Sequence, residues 1–253
     1  MTVLHSGKTF LVTGASRGIG AATASCLLNQ GATVIGSYST KPGALESFSQ
    51  EYGRDRILAV QADLTSPCSA FTLFQSALAF SPYLDGIVNN AGIMSETPLT
   101  AETSQWHSDW QQTMQVNVQA VADLCKQTVQ YLQERQTPGH IINIASRAAF
   151  RGDGPDYWHY AASKGAVIAL TRTIARAYAA EDIYAFSISP GWVKTDMAAV
   201  AYEPGNEHML EEIPLGRAAE PIEIAEMISF LLSGKCNSST GSNFDINGAS
   251  YVR

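Results

Sequence analysis

Tyr160 and Lys164 stand four residues apart in a stretch with helical periodicity, which puts both side chains on one helix face. A tyrosine with its reference pKa of about 10 is a poor base at neutral pH. An ammonium group held beside it favours the phenolate, so Lys164 is expected to lower that value. Ser146, at the carboxyl end of the apolar run Ile141–Ala145, adds a hydroxyl able to bond the same substrate oxygen. Phenol, hydroxyl and ammonium together suit proton transfer to or from an oxygen. A Tyr-x-x-x-Lys pair alone is a weak pattern, although Tyr157 has only Ala161 in the matching place and offers no rival pair.

A second chemical feature lies near the start. The short apolar run Phe10–Val12 reads as a buried parallel strand, glycines follow at Gly14, Gly18 and Gly20, and a helical pattern runs from Ile19 to Gln30 before Gly31. Strand, glycine turn and helix start in that order make a pyrophosphate site, because the backbone comes close and the free N–H groups favour anionic oxygens. The spacing Gly-x-x-x-Gly-x-Gly differs from the commoner Gly-x-Gly-x-x-Gly, and many glycine loops are only tight turns.

The next strand, Ala32–Gly36, bears on the choice of cofactor. In dinucleotide folds an acid about 20 residues past the glycines holds the adenosine ribose hydroxyls. Here Ser37, Tyr38, Ser39 and Thr40 occupy that place, and the nearest acid, Glu46, lies in the following helix Gly43–Tyr52. No carboxylate is left to repel a 2′-phosphate, Ser39 and Thr40 offer donors, and Arg17 or Lys41 offers charge. NADP(H) is therefore expected over NAD(H), with NAD(H) still open if these are ordinary loop residues.

The remaining elements must place these groups together. Strands are expected at Ile57–Gln61, Leu84–Val88, Ile141–Ala145, Tyr184–Ser189 and Phe244–Ile246. Ser66-Pro67 is expected to cap a third helix, Ser108–Gln133 forms a long one, a second long helix carries Tyr160 and Lys164 to about Ala180, and Glu220-Pro221 opens a last one to Leu232. Asn89-Asn90-Ala91-Gly92 follows a strand end, where open sheets bind ligands, although Asn and Gly also make plain turns. Asn117 is a polar residue near the apolar side of its helix, either a satisfied buried amide or a site residue. The Arg147–Tyr157 loop and the broken stretch from Met197 to Gly216, interrupted by Pro204, Gly205 and Pro214, are irregular, the latter a disordered loop or a lid. Strands alternating with helices imply one α/β domain over 1–253, a parallel sheet covered on both faces.

Composition sets the partners. The chain has 253 residues, 45% apolar and 15% charged, with net charge −7 and no basic run, which argues against nucleic acid and anionic membranes. The first residues, Met1-Thr-Val-Leu-His-Ser-Gly-Lys, show no signal-peptide pattern, and no apolar run approaches a membrane span. Cys26, Cys68, Cys125 and Cys236 form no metal spacing, so no metal is expected and the reading is reduced thiols in a cytoplasmic protein.

Together these pieces resemble the short-chain dehydrogenase/reductase family over nearly the whole chain. They are Thr13-Gly14-Ala-Ser-Arg-Gly18-Ile-Gly20, Asp63-Leu64, Asn89-Asn90-Ala91-Gly92, Asn117, Ser146, Tyr160-Ala-Ala-Ser-Lys164, and Pro190-Gly191 with Thr195, in the family's order. The resemblance implies a Rossmann-type doubly wound sheet of about seven strands. It implies that Tyr160 is general acid in reduction, Ser146 holds the substrate oxygen, Lys164 bonds the nicotinamide ribose, and Asn117 supports a water-mediated relay to Lys164. Asp63 is implied at the adenine, Asn90 at the adenosine-side ribose, and Thr195 at the carboxamide. The implied cofactor set comprises Gly14, Ser16, Arg17, Gly18, Ile19, Gly20, Ser39, Thr40, Asp63, Leu64, Asn90, Ala91, Gly92, Tyr160, Lys164, Pro190, Gly191, Val193 and Thr195.

Three features depart from the pattern. The Ser146–Tyr160 interval of 14 is slightly long, Tyr184-Ala-Phe-Ser-Ile-Ser189 replaces a Val-Asn-rich strand, and Asn247-Gly248-Ala249 replaces a Gly-Gly end. Gly31–Ser39, Ile213–Arg217 and Glu220–Ala225 look like 3-oxoacyl-acyl-carrier-protein reductases, but reductases of sugars, steroids and simple ketones share these features. The reading is thus an NADP(H)-dependent carbonyl reductase acting on a small-molecule carbonyl or alcohol. An NAD-dependent sugar or secondary-alcohol dehydrogenase and a non-catalytic dinucleotide-binding module stand as alternatives. An acidic acyl-carrier protein would need a basic landing site, for which Arg172 and Arg176 are candidates, although a solvated helix face explains them equally. The resemblance implies a homotetramer, with helices 108–133 and 160–180 across one axis and the last strand across another. His159 is left open between solvent and pocket.

Overall fold

A computed structural model describes residues 3–203, 205–206 and 208–253; Met1, Thr2, Pro204 and Glu207 lie outside the described residues. The strands are β1 (Thr9–Val12), β2 (Thr33–Tyr38), β3 (Ile57–Gln61), β4 (Gly86–Asn89), β5 (Gly139–Ile144), β6 (Ile183–Pro190) and β7 (Asn243–Ile246). They form one sheet in the order β3-β2-β1-β4-β5-β6-β7, every neighbouring pair parallel. The chain runs outward from β1 to β3, then crosses back to place β4 on the other side of β1. That reversal leaves a crevice at the carboxyl ends of β1 and β4, where open sheets bind ligands.

Alternation along the strands serves two cores. Phe10 and Val12 face one side with Leu27, Leu28, Val34 and Ile228, whereas Leu11 faces the other with Ile35, Leu73, Phe74, Leu124 and Ile141. Both faces being covered explains why β1 reads as an unbroken apolar run. The covering helices are α1 (Gly18–Asn29), α2 (Ala44–Glu51), α3 (Ser69–Phe80), α4 (Thr103–Met114), α5 (Ala120–Arg135), α6 (Ala148–Arg151), α7 (Trp158–Tyr178), α8 (His208–Glu211) and α9 (Pro221–Leu232). The doubly wound Rossmann-type expectation holds. Among the described residues no helix is long and apolar enough to cross a membrane.

Several boundaries differ, each for a tertiary reason. β2 runs on to Tyr38, because Ser37 and Tyr38 pair with Val60 and Gln61 of β3. Ser66 does not cap α3. Asp63 accepts both the backbone N–H and the hydroxyl of Thr65, the chain turns there, and the helix starts at Ser69. The expected helix 108–133 begins earlier, at Thr103, and is interrupted by a π-helical turn at Gln115–Gln119. The Arg147–Tyr157 loop contains α6. The Met197–Gly216 stretch overlaps a 3-10 helix at Asp196–Tyr202 and contains α8, so among the described residues it is partly ordered rather than a plain loop. Glu220 caps α9 as expected, in a reciprocal capping box with Glu223.

Candidate active site

The glycine turn joins β1 to α1. Gly14 and Gly18 have φ of +64° and +55°, conformations that suit glycine. A Cβ on Gly20 would lie 2.1 Å from the Gly14 carbonyl oxygen and 2.6 Å from Asn90 Nδ2, so no side chain fits there. The N-cap of α1 is Arg17, which makes no side-chain cap, so the first-turn N–H groups are left for an anion. Ile19 packs against the core below, and the Ser16 carbonyl accepts the Ala44 N–H at the start of α2.

Thr13 ties this turn to the end of β4. Its hydroxyl accepts the N–H groups of Asn90 and Ala91, both at 3.0 Å, and Asn90 Nδ2 donates to the carbonyls of Thr13 and Gly14 at 2.9 and 3.1 Å. Ser37, at the end of β2, accepts the Gly14 N–H at 3.2 Å. Asn90 and Ala91 therefore come to the glycine turn. Thr195 also comes to it, since a Cβ on Gly18 would meet the Thr195 methyl at 3.0 Å. Gly191 approaches Asn247 closely, the Pro190 carbonyl accepts the Arg147 N–H, and Val193 is buried.

Ser39, Thr40 and Asp63 are exposed beyond the ends of β2 and β3, with Leu64 buried beneath against Val116 and Ala120. Arg17 differs from expectation. Its guanidinium pairs with Asp196 at 3.0 Å, across the turn rather than at the end of β2. Both partners are highly exposed, and such pairs contribute about 0–1 kcal/mol, so an incoming phosphate can compete for the guanidinium.

Tyr160, Lys164, Ser146 and Asn117 converge near the carboxyl ends of β4 and β5. Tyr160 and Lys164 are both buried on α7, and Lys164 Nζ lies 5.8 Å from the centre of the Tyr160 ring. Lys164 Nζ donates to the Ile144 carbonyl at 2.9 Å. A Cβ on Gly92 would sit 3.3 Å from both Asn117 Oδ1 and Lys164 Nζ, which places the amide and the ammonium around one point. Asn117 lies in the π turn, a distortion often found at functional sites. Its amide is fully satisfied: Oδ1 accepts the Ile93 N–H at 2.9 Å, and Nδ2 donates to the Ile93 carbonyl and to Ser163 Oγ at 2.9 and 3.1 Å.

The electrostatics correct one expectation. The Tyr160 phenol is pushed up to about 12, not down: burial raises it, and the Ser146 hydrogen bond opposes only in part. Burial also draws Lys164 down to about 8. Burial dominates both shifts, whereas spacing alone suggests the effect of the neighbouring charge. The phenol is thus an acid-form group at neutral pH.

His159 faces inward. It is buried, with Nε2 3.3 Å from Thr97 Oγ1 and 3.4 Å from Ser95 Oγ, and burial lowers its pKa. Arg172 and Arg176 are exposed on α7. All four cysteines are free thiols, two of them buried. Among the described residues no group of His, Cys, Asp and Glu is arranged to hold a metal.

Sequence reasoning missed a further cluster. Arg147, next to Ser146, is buried and pairs with Glu212, which Arg151 also meets at 3.2 Å. The Arg147 guanidinium carbon lies 5.8 Å from the centre of the Trp192 ring. Burial raises the Glu212 carboxyl, but hydrogen bonds and charge from Arg147 and Arg151 outweigh it and lower the pKa. A charged residue directly after Ser146 was the available signal.

The family profile described as enoyl-(acyl carrier protein) reductase matches residues 14–249. A 3-oxoacyl-[acyl-carrier-protein] reductase of Vibrio cholerae is 32% identical over 246 residues, 97% of this chain and 98% of that protein. Among solved structures, a protein from Agrobacterium tumefaciens assigned as a 2-deoxy-D-gluconate 3-dehydrogenase, with bound NADP, superposes with a TM-score of 0.88 at 29% identity, covering 98% of both chains. A 3-ketoacyl-(acyl-carrier-protein) reductase of Brucella melitensis complexed with NADH superposes with a TM-score of 0.86 at 27% identity, covering 98% of this chain and 99% of the other.

Proposed function

The chain belongs to the short-chain dehydrogenase/reductase family of oxidoreductases, and from that premise we propose that it reduces a carbonyl to a hydroxyl with NADP(H) and Tyr160 as general acid. The observation that carries this reading is the grouping of buried Tyr160, Lys164 and Asn117 with half-buried Ser146, beside a glycine turn that excludes a side chain at Gly20. The residues fit a dinucleotide. Bare backbone at Gly14, Gly18 and Gly20 and the uncapped start of α1 would hold its pyrophosphate, and Asn90, Asp63 and Thr195 would flank its remainder. When bound, the dinucleotide supplies a hydride to the carbonyl carbon.

The chain's own groups handle the oxygen. Ser146 donates a hydrogen bond to it, and Tyr160 gives it a proton. A phenol raised to about 12 holds that proton at neutral pH, so the resting site is set for reduction. Lys164, drawn to about 8, is still mainly an ammonium at pH 7, and its charge favours the phenolate left behind. Asn117 holds the surrounding backbone through Ile93 and Ser163, which supports a relay of the next proton through Lys164.

This assigns the alkaline limb of the reaction. The kcat/KM for reduction is expected to fall above about pH 8, where Lys164 loses its proton. A limb near 12 would instead point to Tyr160. The sign of the stability effect follows from the same shift. An unfolded lysine keeps its proton to 10.5, so burial of Lys164 costs stability below about 8, and the cost fades between about 8 and 10.5.

NADP(H) is favoured by the lack of a carboxylate after β2 and by the exposed donors Ser39 and Thr40. Fluorescence titration with NADPH and NADH, side by side, tests this choice. NADPH is expected to bind at least about tenfold more tightly, about 1.4 kcal/mol. Equal or tighter NADH binding contradicts it and favours the NAD-dependent sugar or secondary-alcohol dehydrogenase; the Agrobacterium neighbour's assignment supports a sugar-type substrate, while its bound NADP supports the NADP(H) reading. For substrate, the names of the relatives put 3-oxoacyl compounds first. We further read the 197–216 stretch as a substrate lid. β7 is an edge strand, and Ile222 and Phe230 are exposed on α9; an open sheet edge and exposed apolar surface support a homotetramer with that edge at one axis.

A further inference from the structure

We infer that Arg147 and Trp192 form an acid-binding end of the substrate pocket, taking the carboxylate of an oxo acid whose ketone is the group reduced. This deepens the carbonyl-reductase reading and rests on it. Arg147 is only 5% exposed, yet its Nη1 has no hydrogen-bond partner among the described residues. Trp192 Nε1 is likewise buried without a partner among the described residues. The guanidinium carbon lies 5.8 Å from the centre of the Trp192 ring, so the two orphan donors belong to neighbouring side chains. Buried polar groups are nearly always paired, and an unpaired donor beside a buried cation is costly.

Both orphan atoms are N–H donors. Whatever completes them brings acceptor oxygens, and beside a guanidinium an anion is favoured. Glu212 meets the guanidinium at Nη2 and fixes its orientation, leaving Nη1 directed elsewhere. The placement suits a substrate group. Arg147 follows Ser146, its backbone N–H bonds the Pro190 carbonyl, Trp192 lies two residues past Pro190, and Glu212 comes from the proposed lid just after α8. The residue after Ser146, the segment after β6 and the proposed lid thus meet at one charged group. A carboxylate accepts two donors on its oxygens, which a neutral ester or thioester carbonyl does less strongly.

The test compares short 2-, 3- and 4-oxo acids with their methyl esters and N-acetylcysteamine thioesters, by kcat/KM under NADPH. The wild-type protein is expected to favour at least one acid over its ester and thioester by about 100-fold. Arg147→Met is expected to bring that ratio to about one, and Trp192→Phe, which keeps the ring but removes the N–H, to lower it about tenfold. The ratio is taken within each protein, so a general loss of activity cancels. A wild-type ratio at or below one overturns the proposal while ester or thioester turnover leaves the reductase reading standing. Equal losses for acid and ester in both variants also overturn it. If no probe turns over, calorimetric titration of the protein with the same acids and esters in the presence of NADP⁺ gives the ratio as affinities, and absence of acid binding overturns it. Failure to bind either dinucleotide overturns both readings.

Discussion

Replacing Tyr160 with Phe is expected to lower carbonyl reduction by about 10²–10⁴-fold, the range a positioned general acid contributes. The substitution removes one hydroxyl from a buried ring and keeps the packing of α7 against its neighbours. What is lost is the proton given to the substrate oxygen and the hydrogen bond with Ser146. Dinucleotide binding rests mainly on the glycine turn and the ends of β2 and β4, so the affinity for NADPH is expected to stay within about threefold, under about 1 kcal/mol. Steady-state rates and a cofactor titration on the same preparation separate the two effects. A variant with full activity would remove Tyr160 from the chemistry, and one that loses cofactor binding in step with rate would make its role structural.

Gly20→Ala is expected to do the opposite: to destroy cofactor binding. The added methyl group would lie 2.1 Å from the Gly14 carbonyl oxygen and 2.6 Å from Asn90 Nδ2. The first neighbour is backbone, so the turn itself must move. That movement breaks the Asn90 bonds to the Thr13 and Gly14 carbonyls, which hold the end of β4 to the turn. An overpacked site of this kind typically costs about 1–3 kcal/mol of stability. NADPH affinity is expected to fall by at least about 100-fold, about 2.7 kcal/mol. Thermal melting and titration of the folded variant measure the two losses. Retained affinity would show that the turn does not form the pyrophosphate cradle.

Much of this was legible from residues whose signal is local. The glycine turn announces itself because only glycine tolerates the close approach at Gly20, and β3 and α9 fall where the apolar pattern and the Glu220-Pro221 start put them. The Tyr160–Lys164 face follows from helical spacing. Features that depend on distant neighbours were not legible. The π turn at Asn117 involves contacts with Ile93 and Ser163, and β2 is lengthened by its pairing with β3. The direction of the Tyr160 shift reversed because spacing reports a neighbouring charge but not how deeply both groups are buried. Arg17 reads as a phosphate ligand by position, yet it pairs with Asp196, which comes from the segment after β6. The pairing of Arg147 with Trp192 and Glu212 joins three separate parts of the chain, which no local pattern signals.

The most direct measurement is the consumption of reduced nicotinamide by the purified protein, with NADPH and NADH in parallel, across oxo acids, 3-oxoacyl thioesters, simple ketones and keto sugars. Substrate-dependent oxidation of NADPH, at least about tenfold faster in kcat/KM than with NADH and lowered about 10²–10⁴-fold in Tyr160→Phe, is the predicted result. Binding of NADPH with no carbonyl in the panel reduced would contradict it and leave a dinucleotide-binding module. Oxidation of NADPH that is undiminished in Tyr160→Phe would contradict the assignment of the general acid.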